Sequence, residues 1–367
     1  MLKTKCIDEI TDFGDLRVFE NATTYPCILR VSNREPHFKP RVTSVKSLDI
    51  SSLQQYVQQN GSPSSQTLFA EGGLSLLDTK VQDLLDKLKQ NSISLEEYVN
   101  GKVFRGVLTG LNEAFIIDKS TRNRLISEDP RSADLLRTFA IGRDIKRYMP
   151  IEEKQYLIFI PKGWTNQHTN RNHWKWFSSE YPAIAQHLQL FEQRAIARCD
   201  KGDYWWELRA CDYYADFEKP KIVYPNICKR PEFTFDKLSL FTNQKCFIIP
   251  VNDLFLLAYL NSNISFFLFT QLFPKLRGDF YEPSWVYFKN FPIPKTDQNN
   301  SEQNNCRHKL EILAYEQLRL LEKKNLEPFG NYAFDSFRIN DSTINQIVCD
   351  LYKLNAEEVS LIFNVIS

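Results

Sequence analysis

The sequence of 367 residues lacks the short motifs that mark a self-sufficient catalytic site. It has neither a GxGxxG nor a GxxxxGK[ST] turn, so no glycine-rich loop is available for a nucleotide or dinucleotide cofactor. It also has no HExxH, no GxSxG and no Pro-Pro dipeptide, which excludes a zinc-protease helix, a nucleophile elbow and an Asn-Pro-Pro-aromatic loop. We therefore expect no catalytic residue in this chain.

Clustered metal ligands and a long apolar span are absent as well. The eight cysteines are scattered, with no CxxC pair and no histidine at ligand spacing, so we expect no metal site and free thiols in a reducing cytoplasm. Residues 1–5 lead into charged sequence, unlike a signal peptide. The most apolar segment, 254–273, is interrupted at 261–263, which predicts a buried helix or helix pair instead of a membrane anchor.

Charge is balanced over the whole chain but not along it. The formal net charge is only +1, so nothing attracts the whole molecule to nucleic acid or to an anionic membrane. Residues 100–175, however, contain 14 Lys or Arg and 8 Asp or Glu. A basic surface, if the protein has one, must therefore be local.

Hydrophobic periodicity predicts a chain that mixes strands and helices. Strands are indicated in 6–31, in QYLIFIPKGW, in KIVYPNI and in QKCFIIP. GVLTGLNEAFIID (106–118) reads as two short strands joined by a tight polar turn. Leu and Val spacing predicts an amphipathic helix over 76–90, and Ser94 is expected to cap the next helix, which stops at Gly101.

Further helices are expected on both sides of Pro130, over 180–198 as one helix entered through Pro182, and from Ser301 to the end. The predicted fold class is mixed α/β. Carboxylates at Asp129, Asp203 and Glu282 could be assembled into a nuclease site on paper, but no Asp-Glu-x-Lys pattern supports one.

Basic, amide and aromatic side chains alternate in three loops, IPKGWTNQHTNRNHWKWF, GRDIKRY and FPKLRGDF. Arg, Lys, Asn and Gln are the side chains that contact phosphates and base edges. The alternative is a solvated surface whose Trp rings cap a neighbouring core, with Arg143 and Asp144 as a structural ion pair. The DNA-binding candidates in these loops are Arg143, Lys146, Arg147, Lys162, Trp164, Asn166, Gln167, Asn170, Arg171, Lys175, Lys275 and Arg277.

Five motifs occur in a fixed order: GVLTGLNEAFIID, LLRTFAIGRDIKRY, YLIFIPKGW, KIVYPNI, and LAYLNS leading to FKNFPIPK. Together they resemble the TaqI-like C-terminal specificity domain of adenine-specific DNA methyltransferases and type IIG restriction-modification enzymes, over roughly residues 100–295. The last motif is also similar to target-recognition domains of type I specificity subunits. Residues 6–31 resemble the final strands of the methyltransferase catalytic domain.

The resemblance implies a division into four regions. Residues 1–45 would be remnant strands of a methyltransferase sheet, 46–100 a linker with helices, 101–298 a mixed α/β DNA target-recognition domain, and 299–367 a helical C-terminal tail. Phe19 in VFENA would stack against the extruded adenine, its alternative being a core residue at a strand end. Asn112 would face the DNA cleft or cap its own turn.

The same resemblance implies sequence-specific recognition of double-stranded DNA in a bacterial or archaeal cytoplasm. Methyl transfer from S-adenosylmethionine would need a catalytic half that this chain lacks, either a missing N-terminal part or a separate polypeptide; the chain itself would bind no cofactor. Two other functions stay open: an inactive scaffold or relic without DNA specificity, and a DNA nuclease with an unrecognised site.

Overall fold

The computed structural model describes residues 6–14, 16–21, 25–33, 40–63, 79–169, 171–296, 299–324 and 331–366. The chain divides into two compact units, Met1–Gln90 and Asn91–Ser367. Both units contain strands and helices, so the mixed α/β fold that the sequence predicts is confirmed.

The first unit is built around a small sheet. Its elements are β1 (Cys6–Asp12), β2 (Cys27–Ser32), β3 (Arg41–Ser44), α1 (Leu53–Asn60), β4 (Ser62–Pro63) and α2 (Thr79–Gln90). β1 pairs antiparallel with β2 and parallel with β3, and the order of the described sheet is β2-β1-β3-β4. Ile10 of β1 is buried, whereas residues 27–31 of β2 are all exposed. β2 therefore stands at the edge of the described sheet with apolar side chains open to solvent.

The second unit contains the remaining twelve strands and thirteen α-helices of the described residues. Its strands are β5 (Ser92–Ser94), β6 (Phe104–Arg105), β7 (Ile116–Asp118), β8 (Leu136–Ala140), β9 (Gln155–Ile158), β10 (Lys221–Pro225), β11 (Thr234–Asp236), β12 (Phe241–Thr242), β13 (Cys246–Ile249), β14 (Lys275–Leu276), β15 (Phe280–Tyr281) and β16 (Pro292–Pro294). Its helices are α3 (Leu95–Tyr98), α4 (Asn112–Phe115), α5 (Lys119–Glu128), α6 (Trp164–His168), α7 (His173–Glu180), α8 (Pro182–Gln189), α9 (Glu192–Ala197), α10 (Leu254–Leu260), α11 (Asn263–Leu272), α12 (Trp285–Phe288), α13 (Ser301–Lys324), α14 (Asn331–Leu351) and α15 (Ala356–Ile366).

Two four-stranded sheets, β11-β10-β13-β6 and β12-β8-β9-β7, form the centre of the second unit. β10 and β13 are buried at every position, as their nearly continuous apolar runs predict. Lys221 is the charged exception in β10, and its ammonium donates to the carboxylate of Asp236 and the carbonyl of Phe217. A buried charge of this kind is tolerated because it is paired and hydrogen-bonded.

The predicted hairpin over 106–118 is wrong. Residues 112–115 form the single helical turn α4, and only Ile116–Asp118 continues as a strand, which pairs with β9. The cause is local, because the Thr109 hydroxyl donates to the Asn112 side-chain oxygen at 2.6 Å and the Leu111 N–H donates to the Thr109 hydroxyl. Side-chain bonds of this type compete with strand pairing and favour a turn.

Two helix predictions also need correction. After Pro130 the chain makes a short 3₁₀ turn and then enters strand β8, because residues 136–139 pair with β9. Pairing across a buried sheet overrides the helical spacing of the apolar residues there. The single helix predicted over 180–198 is two helices, α8 and α9, separated at Leu190–Phe191. The cap at Ser94 is confirmed, since its hydroxyl accepts from the Glu97 N–H.

The apolar segment 254–273 forms the predicted buried helix pair. α10 is buried along almost its whole length, and α11 turns away from it by 61° at the break. Among the described residues no single helix is long and apolar enough to cross a membrane, and this bent pair passes only by length and composition.

Asn261 explains why the helices break where they do. Its side chain is 3% exposed, and its amide accepts from the Phe233 N–H at 3.1 Å and donates to the Phe233 carbonyl at 3.0 Å. Its own carbonyl accepts from the Arg147 guanidinium, which also contacts Asp341 of α14. The break thus places the polar residue Asn261 inside an apolar core, where buried backbone N–H and carbonyl groups need hydrogen-bond partners.

Within the second unit, the C-terminal helix α13 is joined to the apolar helix pair by a half-buried polar contact. Asp253 caps α10 by accepting from the Leu256 N–H, and it also accepts from the Tyr98 hydroxyl at 2.6 Å. Arg307 of α13 donates to Asp253 at 2.8 Å and to the Tyr98 hydroxyl at 3.0 Å. Burial is the main cause that raises the pKa of Tyr98 above its ordinary value. These groups join α13 to the start of the apolar pair.

We predict that Asn261→Leu lowers the free energy of unfolding by about 1–3 kcal/mol, because the buried Phe233 N–H loses its acceptor. The Phe233 carbonyl keeps the Tyr148 N–H as a donor, so only one buried group is orphaned. Denaturant unfolding of the chain measures the change. Asn123→Leu on the exposed face of α5 is the matched control and should cost less than about 0.5 kcal/mol; equal losses in both variants would contradict the role of Asn261.

Candidate nucleic-acid interface

A basic groove lies on the second unit, where the turn after β8, the loop after β10 and the turn between β12 and β13 meet. Its volume is about 830 Å³. Its floor is largely apolar, formed by Ile141, Pro225, Ile227, Cys228 and Phe280, with Asn226 and Asn243 beside them. Its cations are all exposed: Arg143, Lys146, Lys229, Arg230 and Lys245. Glu232 is the one carboxylate among the described residues that line it.

Backbone contacts fix the three segments around the groove. The Asn226 N–H donates to the Lys245 carbonyl at 2.8 Å, and Cys228 exchanges two backbone hydrogen bonds with Tyr281. A side chain at position 142 would lie 3.2 Å from the Lys245 carbonyl, so Gly142 permits the close approach of the two turns. Backbone contacts therefore hold together the segments that line the groove.

The hairpin β14–β15 adjoins the groove through Phe280. The Lys229 ammonium lies 5.1 Å from the centre of the Phe280 ring, a cation–π distance. Lys275 and Arg277 are exposed on this hairpin, and Lys275 pairs with Asp279 at 2.8 Å. Two of the three sequence segments proposed for DNA contact, GRDIKRY and FPKLRGDF, thus come together here, although they lie more than 120 residues apart in the sequence.

Burial keeps the thiol in the groove floor unreactive. Cys228 is 3% exposed, and desolvation raises its pKa well above the ordinary value for a thiol. A protonated, buried thiol is neither a nucleophile nor a metal ligand.

Arg147 occupies a different environment from Arg143 and Lys146. Its half-buried guanidinium donates to the Asn261 carbonyl and to the carboxylate of Asp341. Those contacts join the loop before β9 to α14. Arg147 therefore has a structural role in the second unit, and its guanidinium does not line the groove.

The Trp-rich segment packs on its own partners instead of joining the groove. Trp164 contacts the rings of Trp176 and Phe177, with centroids 5.8 and 6.3 Å apart. The Lys162 ammonium lies 3.5 Å from Asp203, and the Asn166 amide donates to the same carboxylate at 2.9 Å. Of the other candidates, Gln167, Arg171 and Lys175 are exposed and Asn170 lies outside the described residues.

Glu207 holds this segment in place and was not expected from the sequence. It is fully buried, and its carboxylate accepts from the backbone N–H groups of Gly163, Thr165 and Asp203 at 2.9–3.1 Å. The amides at the glycine turn between β9 and α6 are thus already bonded to an internal anion. A carboxylate 44 residues away from Gly163 gives no local signal in the sequence.

The TGLN turn, residues 109–112, contacts the segment that follows α9. Buried Arg198 donates to the Thr109 carbonyl and lies 4.3 Å from the Phe115 ring. Gly110 has φ +69° and approaches Asp200, which only a residue tolerant of this conformation can do without strain. Asn112 is exposed, and its side-chain oxygen accepts a hydrogen bond from the Thr109 hydroxyl within the same turn.

Phe19 belongs to the first unit. Its side chain is 58% exposed, so it is not the core residue that the alternative interpretation assumed.

The carboxylates proposed for a nuclease site have separate partners. Asp129 is buried and contacts Arg131, Asp203 contacts Lys162 and Asn166, and Glu282 accepts from Asn226. No group of three or more His, Cys, Asp or Glu side chains that could hold a metal occurs in the described part of the chain.

Lys229, Arg230 and Lys245 were missed in the sequence, although the groove is lined by them. The sequence offered one signal for them, the adjacent Lys229 and Arg230, which follow the end of the buried strand β10 by a few residues. Lys245 lies in a short turn and carries no such signal.

Comparison with known proteins gives one family match and several similar folds. Residues 138–293 match the family model of the TaqI-like C-terminal specificity domain. The fold resembles the structure of the type IIL restriction-modification enzyme MmeI in complex with DNA, with a TM-score of 0.58 and 10% identity, over 99% of this chain and 46% of that chain. The type IIG restriction endonuclease BpuSI gives a TM-score of 0.42 and 11% identity, over 95% of this chain and 44% of that one.

The chain thus spans less than half the length of either enzyme. No curated protein sequence matches it. The matched residues begin within β8 and end within β16, so they include the basic groove and the β14–β15 hairpin. Residues 138–293 therefore match the TaqI-like C-terminal specificity domain, and the match leaves the rest of the chain unassigned.

Proposed function

We propose that this chain recognises double-stranded DNA in a sequence-specific manner for a restriction-modification adenine methyltransferase. The observation that carries the proposal is the groove with five exposed cations inside the matched specificity domain. The net charge of +1 makes general attraction to a polyanion weak, so a local cluster is what phosphate binding requires.

The contacts divide into two groups by chemistry. Arg143, Lys146 and the missed cations of the groove are placed to neutralise phosphates, and Lys275 and Arg277 extend the same charge along the hairpin. We propose a second DNA-contacting surface, in which the side-chain amides of Asn and Gln would read base edges. Its candidate residues are Asn112, Lys162, Trp164, Asn166, Gln167, Asn170, Arg171 and Lys175.

The first unit supports association with a catalytic part. Strand β2 presents Ile28, Leu29 and Val31 to solvent at the edge of the described sheet, with exposures of 40–50%. An apolar sheet edge of this kind invites pairing with another strand or polypeptide. We propose that the regions 1–45, 46–100, 101–298 and 299–367 serve as sheet remnant, linker, recognition domain and helical tail.

We propose that S-adenosylmethionine binds outside the described residues of this chain, and one contact supports this. The glycine turn between β9 and α6 comes nearest to a cofactor loop, but the Gly163 and Thr165 N–H groups already donate to Glu207. A cofactor needs such amides free for close backbone approach. We therefore assign cofactor binding to the catalytic part.

The first test of the DNA proposal measures binding to random-sequence duplexes by fluorescence anisotropy over a range of salt. Lys229→Gln should weaken binding to all sequences alike and reduce the slope of log affinity against log salt by about 0.9, because one phosphate contact is lost. Lys119→Gln on the exposed start of α5 is the charge-matched control and should leave the slope unchanged.

Absence of binding at about 100 µM protein in low salt, where non-specific binding normally appears, would remove the support for DNA recognition. Cleavage of plasmid DNA in the presence of magnesium would instead favour the nuclease.

The second test concerns the cofactor. Titration of S-adenosylmethionine into the chain in a calorimeter should release no heat of specific binding, because the amides of the glycine turn between β9 and α6 are already bonded to Glu207. A saturable micromolar affinity would place the cofactor site in this chain and contradict the proposal.

The third test concerns Phe19. Enzymes that modify a base extrude it and stack it against aromatic side chains, and a ring that is 58% exposed is available for this contact. In the enzyme reconstituted with its catalytic part, Phe19→Ala should lower methylation turnover while leaving the melting temperature unchanged. Phe334→Ala, at a Phe on α14 that is 52% exposed, is the control. Unchanged turnover in Phe19→Ala would argue against stacking.

A further inference from the structure

One ion pair in the groove offsets part of its positive charge. The Lys146 ammonium lies 2.9 Å from both carboxylate oxygens of Glu232. The Glu232 side chain is 20% exposed and that of Lys146 is 50% exposed. Among the described residues, the other four cations of the groove form no ion pair with a carboxylate. In the part of the chain that the structure describes, Lys146 is thus the one groove cation with a carboxylate partner.

The backbone next to Glu232 is fixed by the hydrogen bonds of its neighbour in the chain, Phe233. The Phe233 N–H donates to the side chain of Asn261, and the Phe233 carbonyl accepts from the Asn261 amide and from the Tyr148 N–H. Backbone fixed by three hydrogen bonds limits how far the attached carboxylate can swing. A phosphate that approaches Lys146 therefore meets the negative charge of Glu232 at close range.

We propose that Glu232 is a specificity-determining residue that restrains the groove from binding non-cognate DNA. On an arbitrary duplex Lys146 stays paired with Glu232 and contributes nothing to phosphate binding. On a site whose backbone fits the groove, the ammonium exchanges the carboxylate for a phosphate. Discrimination between partners needs such a penalty against the wrong partner as well as contacts to the right one. This inference rests on the proposed DNA recognition.

The test uses the full chain and a fluorescein-labelled random-sequence duplex of about 30 base pairs, with affinity measured between about 0.05 and 0.3 M salt. Glu232→Gln should bind about tenfold more tightly at the lowest salt, and the slope of log affinity against log salt should steepen by about 0.9, because Lys146 gains a phosphate. Glu232→Asp keeps the charge and should bind like the unchanged protein.

Two controls separate this effect from general charge and from folding. Glu128→Gln breaks the Arg124–Glu128 pair on α5, also 2.9 Å long, and changes the net charge by the same amount; it should alter affinity less than about twofold. In a Lys146→Gln background, Glu232→Gln should no longer steepen the slope, because the cation that it releases is gone. A merely structural Glu232 would not produce this dependence on Lys146.

The outcomes distinguish failure of the restraint by Glu232 from failure of the proposed DNA recognition. The restraint by Glu232 is overturned if the salt slope of Glu232→Gln is unchanged, or if Glu128→Gln gains as much affinity. DNA recognition is still supported in that case if Lys229→Gln reduces the slope. If neither the unchanged protein nor any variant binds the duplex, DNA recognition itself fails. Tighter binding with a steeper slope in Glu232→Gln alone supports the restraint.

Discussion

The carboxamide of Asn261 is the contact on which the second unit depends. The helices on either side of it are among the most apolar and most deeply buried parts of the chain. Such helices pack by shape alone and would leave the backbone of the neighbouring loop unpaired. The carboxamide supplies a donor and an acceptor to Phe233, and its backbone carbonyl receives Arg147. One polar residue thus joins the apolar core, the rim of the groove and the helix α14.

This arrangement explains how a nearly neutral protein can present a basic groove. The cations stand in short turns at the ends of buried strands, where the backbone is fixed by Asn226, Cys228 and their partners. Elsewhere in the second unit some charged side chains pair with each other, as in the buried contact of Lys221 with Asp236. Positive charge is concentrated in the groove because the rim of the sheet brings together turns that are distant in the sequence. The net charge of the whole chain does not reveal this local cluster.

The proposed association with a catalytic part rests on the first unit. Its sheet has four described strands, and the exposed face and edge of β2 are apolar. The chain spans less than half of MmeI, the structure that it resembles in fold. Recognition and chemistry would then be separated, with the specificity domain supplying the contacts to DNA and the catalytic part the cofactor site.

The sequence by itself determined the elements whose signals are local. The apolar pair, the break at Asn261, the cap at Ser94 and the helical C-terminal region were all readable, because periodicity and capping act over a few residues. The ordered motifs likewise indicated the specificity domain before the fold was known.

Only the tertiary structure decided which candidates share a surface. It turned residues 136–140 into a strand by pairing them with β9, assigned Arg147 to α14, and added Lys245 and Glu232 to the groove. Contacts of this kind join residues that lie from tens to nearly two hundred positions apart. Neither hydrophobic spacing nor composition carries information at that range, because both describe neighbours along the chain and not neighbours in space.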